Sequence, residues 1–108
     1  MINFQVFPKL ILLYGKKDTC DIYYSIFSNT EDSGTLVAYN PFYAQCVSLD
    51  RENIFHLPRN KKLQGKISLD MTKGPPFTEA VITFEVRTVN SRVCSKQHPV
   101  CIRRILQP

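Results

Sequence analysis

The sequence has no tryptophan, only four glycines in 108 residues, and two histidines. Each shortage removes a class of function. The glycines are not clustered, so neither a dinucleotide fingerprint nor a P-loop is present to cradle a phosphate. Zinc-protease, nucleophile-elbow and acidic calcium-loop patterns are missing too. The longest apolar run, LILLY at residues 10–14, is far too short to span a bilayer. The opening MINFQVFPKLILLYG fails as a secretory leader, because Pro8 and Lys9 interrupt its apolar centre and no small-residue cleavage site follows. The expectation is a mature domain beginning near its natural start, with Met1 native or added. No N-x-S/T sequon occurs, since Asn29, Asn40 and Asn90 each miss the pattern. That counts against a heavily processed ectodomain.

What is present is a domain-sized chain, 44% hydrophobic and 21% charged, which reads as one globular domain over residues 1–108. Such a chain hides only about two-thirds of its unfolded surface. The net charge of +5 is uneven. Residues 1–58 hold four Lys/Arg against six Asp/Glu, and residues 59–108 hold ten against three. A basic half suits an anionic surface, or it simply solubilises strands.

The hydrophobic pattern has period two. Ile67, Leu69 and Met71 alternate with Lys66, Ser68 and Asp70, and Ala80, Ile82, Phe84 and Val86 with Val81, Thr83, Glu85 and Arg87. INFQVF, DIYYSIFS, TLVAY, AQCVSL and NIFHL also read as strands. Turn clusters at NTEDSG, NP, LPRNKKLQG and KGPP separate them. No helical stripe with caps appears. The predicted fold is all-β, an antiparallel β-sandwich, immunoglobulin-like or ML-like, of about seven or eight short strands.

The stretch RVCSKQHPVCIRR, residues 92–104, carries the chemical question. Structural zinc wants two close ligand pairs, and a redox pair wants C-x-x-C at a helix start. Neither spacing occurs, so no metal and no cofactor are expected. His98 beside Cys94 or Cys101 lacks the third orienting group of a nucleophilic site. The chain is therefore expected not to be an enzyme. A disulfide staple remains: Cys94–Cys101 would close a hairpin and Cys20–Cys46 would tie two strands. Four cysteines allow three connectivities, so this pairing is a preference. Two bridges would place the protein outside the cell, whereas reduced cysteines would place it in the cytoplasm.

Tyr23 and Tyr24, as neighbours on a strand, point to opposite faces, so the strand around them is apolar on both sides. That suits a covered strand, or sheets parted around an apolar ligand. The stretches CVSLDRENIFHLPRN, KISLDM, KGPPFTEAVITFEVRTVNS and VCIRRI, over residues 44–106, resemble the later strands of the ML lipid-recognition family. Cys46, the strand around Phe84, and Cys101 take the family's places. The chain is shorter than the family's usual domain and has fewer cysteines. The resemblance implies a cavity lined by Tyr24, Ile26, Phe55, Leu69, Ile82 and Phe84, with a basic rim at Arg59, Lys61, Lys62, Arg103 and Arg104 meeting anionic lipid.

Three functions follow. The first is a secreted, disulfide-containing recognition module that binds a protein through exposed aromatic and basic residues. The second is an ML-type lipid carrier or sensor. The third is an intracellular basic β domain binding nucleic acid, disfavoured because the aromatics lie in the acidic half and the cations in the other. Neither the partner nor the oligomeric state is written in these motifs.

Overall fold

A computed structural model of the protein describes residues 1–106. Among these described residues, nine strands form two sheets. The first sheet runs β1 (Ile2–Phe7), β3 (Thr19–Ser28), β7 (Lys62–Asp70), β5 (Val47–Leu49). The second runs β2 (Leu10–Tyr14), β9 (His98–Ile105), β8 (Glu79–Thr88), β4 (Asp32–Tyr39), β6 (Ile54–Leu57). This is the β-sandwich that the alternation predicts.

The two-residue period fixes the inner faces. Ile22, Tyr24 and Ile26 of β3, Ile67 and Leu69 of β7, and Ile82, Phe84 and Val86 of β8 are buried in one core with Phe4, Leu13, Val100 and Ile102. Side chains in between point outward. The chain switches sheets at the cis Phe7–Pro8 peptide bond, so β1 lies in the first sheet and β2 in the second.

Three expectations change. The run LILLY is a strand, β2, and it pairs in parallel with β9, Leu10 opposite Cys101 and Tyr14 opposite Ile105. The sandwich is thus not wholly antiparallel. AQCVSL is only half strand, since Ala44–Cys46 forms a 3-10 turn before β5. The turn assigned to residues 57–65 ends early, because Lys62 already pairs with Phe27.

The expected disulfide staples are not formed. All four cysteines are free. Cys20 and Val47 both pair with Leu69 from opposite sides of β7. β3 and β5 therefore stand two strand spacings apart, about 10 Å, beyond the ~7 Å limit on Cα separation in a disulfide. In the other pair, Cys101 faces Val81 while Cys94 faces Arg87. Six residues along β8 separate those partners, roughly 20 Å. Neither pairing is favoured by this register. Burial, then the neighbouring Asp21, pushes the Cys20 thiol up to about 11, so it is not a reactive thiolate.

Candidate functional site: the exposed face of the second sheet

His98 and the two cysteines near it do not converge. His98 is buried on the inner face with its ring edge-on to Phe4, centroids 5.4 Å apart, and its Nε2 has no hydrogen-bond partner. Burial, then Lys9 and Lys96, lowers its basicity. Cys101 lies three residues on, so its side chain leaves the opposite face. Cys94 faces the outward-pointing Arg87. Among the described residues, His, Cys, Asp and Glu form no group of three able to hold a metal ion.

The six residues assigned to an apolar cavity are the core itself. Tyr24, Ile26, Phe55, Leu69, Ile82 and Phe84 are all buried in one packed cluster. A depression of about 610 Å³ lies on the outer face of the first sheet and is polar, lined by Lys17, Thr19, Asp21, Ser48, Ser68 and Asp70 among others. Tyr24 is held by a hydrogen bond from its hydroxyl to Asp50, 2.9 Å, and Asp50 accepts also from the Lys66 amide, 2.9 Å.

The basic rim is not one surface. Arg59 bridges to Ser28, and Lys62 pairs with Phe27, at one end of β3; Lys61 is exposed beside them. Arg103 and Arg104 lie by Glu79 and Asp18, at the other end, roughly 30 Å away along a ten-residue strand. Arg104 is also engaged internally. It donates to the carbonyls of Gly15, 3.0 Å, and Lys17, 2.7 Å, binds Asp18, and stacks 5.0 Å from the Phe77 ring centre. Its work is to hold the loop after β2.

What the fold does bring together is apolar. Leu10, Leu12 and Tyr14 are 50%, 40% and 52% exposed because β2 is an edge strand whose alternate residues, Ile11 and Leu13, fill the core. On the same face stand Cys101 opposite Leu10, and Val81 opposite Cys101, the latter 42% exposed. Arg103 sits between Leu12 and Glu79, pairing with Glu79 at 3.2 Å. Of the five rim cations, Arg103 alone lies on this face beside the apolar group.

Further across the sheet the face turns polar. Glu85 is buried under Tyr39, Arg87 and Gln97, accepting 2.6 Å from the Tyr39 hydroxyl, 2.5 Å from Arg87 Nε and 3.3 Å from Gln97. Burial opposes its ionisation, but these hydrogen bonds prevail and hold its carboxyl below the usual range. An apolar group bordered by ordered polar side chains has the anatomy of a docking surface. LILLY carried this signal in the sequence; it was missed because an apolar run without alternation does not say which residues face out.

No family model matches the chain, and no curated protein matches it. Solved structures share its fold, two of which follow. The periplasmic chaperone SfaE superposes with a TM-score of 0.56 at 9% identity, covering 98% of this chain and 59% of that one. WR4, a C. elegans MSP family member, superposes with a TM-score of 0.55 at 11% identity, covering 94% of this chain and 97% of that one. The chain thus spans less than two-thirds of the chaperone's length. The ML resemblance holds only at the level of a β-sandwich, and what this chain shares with both structures is the immunoglobulin-like sandwich fold.

Proposed function

We propose that the protein is a non-catalytic recognition module whose docking surface for another protein is the β2–β9–β8 face of the second sheet. One observation carries this reading: Leu10, Leu12, Tyr14 and Val81 stand exposed together on one face, where scattered apolar residues would need no explanation. Tyr14 and Arg103, residue types enriched where binding energy concentrates, lie in the same group. Aromatic and basic contacts thus remain part of the reading, moved from the expected rim to this face. The likeness to a chaperone is consistent with a protein partner. The secreted assignment has lost its support with the staples, and four free thiols fit a reducing compartment better. A lipid carrier is disfavoured, because the residues meant to line its cavity fill the core.

The test substitutes Leu12→Asp and Val81→Asp together, both outward-facing and so compatible with the fold. Affinity capture of the full chain should lose its specific partner with this pair and keep it with Phe7→Ser and Tyr23→Ser, on the other sheet. Equal capture by both pairs refutes the reading.

Nucleic acid is a second reading, with an observation of its own. The register sets Phe7 beside Tyr23 and Lys66, and Asn3 beside Phe27 and Lys62, on the outer face of the first sheet. Aromatics and cations far apart in sequence are thus interleaved, as a stacking platform requires. Fluorescence anisotropy with an oligothymidylate decides it: salt-dependent binding abolished by Tyr23→Ser supports it, and no binding at low salt ends it.

A further inference from the structure

We propose that the free edge of β2 accepts an extended segment of the partner as an added strand of the second sheet, apolar in its middle and acidic at its ends. This rests on reading the β2 face as the docking surface.

The backbone shows which groups are available. Lys9 O accepts from Cys101 N at 2.8 Å, and Gly15 N donates to Ile105 O at 3.0 Å. The backbone N–H and C=O of one residue in an extended strand point to the same side, and successive residues alternate. Odd-numbered residues of β2 therefore bond β9, and Leu10, Leu12 and Tyr14 turn their backbone groups away from it. Tyr14 O is taken by Lys17 N at 3.2 Å. The N–H and C=O of Leu10 and Leu12 are left as a ladder without a second strand. Edge strands are usually blunted by Pro or by inward charges. Within Leu10–Tyr14 there is neither.

Charge selects the occupant. Lys9, Lys16 and Lys17 bracket the strand and are exposed. Among the described residues none of the three forms a salt bridge, and nearby Asp18 is engaged by Arg104. A second copy is a poor fit. Antiparallel self-pairing centred on Leu12 would set Leu10 against Tyr14 and bring Lys9 of one copy beside Lys16 of the other, and like charges so placed repel. A segment with carboxylates at its ends meets the lysines while its apolar side chains lie over Leu10, Leu12 and Tyr14. Main-chain bonds then supply affinity, and the flanking charges supply direction and selectivity.

The probe is the peptide Asp-Glu-Val-Thr-Val-Thr-Val-Glu-Asp, titrated into the full chain and followed at backbone amides by NMR. The Leu10 and Leu12 amides should shift and exchange more slowly. N-methylation of the peptide's central residues should abolish this, and lysine ends should weaken binding roughly tenfold or more. Lys9→Glu, Lys16→Glu and Lys17→Glu together should reverse the preference between acidic and basic ends. No binding, equal binding of the N-methylated peptide, or shifts confined to the first sheet would overturn the edge mode. If the peptide fails while Leu12→Asp with Val81→Asp still costs the native partner, the face reading stands and only the edge mode falls. If that pair keeps the partner as well, both fall.

Discussion

At the scale of the residue, Gly65 makes the most exacting demand. A Cβ built there would stand 2.3 Å from the Tyr24 hydroxyl and 2.6 Å from Asp50 Oδ2. The glycine is what lets the phenol reach across β7 to its carboxylate, and burial and that bond push the phenol up to about 12. Gly65→Ala should therefore destabilise by about 1–3 kcal/mol, the usual cost of overpacking, and urea unfolding measures it. Tyr24→Phe in the same background should recover part of the loss, because it removes the nearest of the clashing atoms while the ring carbon that bore it, at 2.4 Å, stays; strict additivity of the two would contradict this packing. Little of this was visible beforehand. The sequence marks Tyr24 as one of a pair with opposite faces, and Gly65 as a turn residue, but their contact is long-range.

At the scale of the element, Asp32 fixes where β4 begins and how the loop after β8 lies. Its carboxylate accepts from the Ser33, Asn90 and Ser91 amides and from the Ser91 hydroxyl, at 2.6, 3.1, 3.0 and 2.7 Å. The Ser91 hydroxyl is the leading cause of a strongly lowered pKa, and burial only partly opposes it. Asp32→Ala should lower the urea midpoint and speed amide exchange at Asn90 and Ser91. Asp21→Ala, which removes one 3.9 Å surface pair with Lys66, should do neither. Equal effects would mean that Asp32 does not organise the loop.

Strands with clean alternation, β7 and β8 above all, were legible because each has one apolar face. β2 was not, since Leu10–Tyr14 is apolar on both faces and only its edge position decides which side is wet. The cysteine pairs misled for a related reason. Spacing along the chain carries no register, and it is register that sets Cys94 and Cys101 against different parts of β8.

At the scale of the molecule, acid should unfold the protein in two stages. His98, Asp32, Asp50, Asp70 and Glu85 all have folded pKa values below their ordinary ones. The unfolded chain then binds more protons than the folded one as pH falls, so each group's stabilisation is present at neutral pH and is lost on acidification. His98 contributes the first decline, below pH of about 6.5, and the carboxylates the second, below about 4.5. His98→Gln should erase the first stage and leave the second. A pH-independent unfolding midpoint between 7 and 5 would, by the same linkage, contradict the burial of His98.

The same scale explains why the basic half never becomes one patch. The fold sends Arg59, Lys61 and Lys62 to one end and Arg104 into a loop at the other, while apolar residues from β2, β8 and β9 gather on one face. The central claim is that this face meets the partner. Site-specific photo-crosslinking in cells tests it most directly, with the crosslinker in place of Leu12, Val81 or Tyr23 in turn. The account predicts one common protein adduct at the first two positions and none at the third. An adduct at Tyr23 with none at Leu12 and Val81 would contradict it.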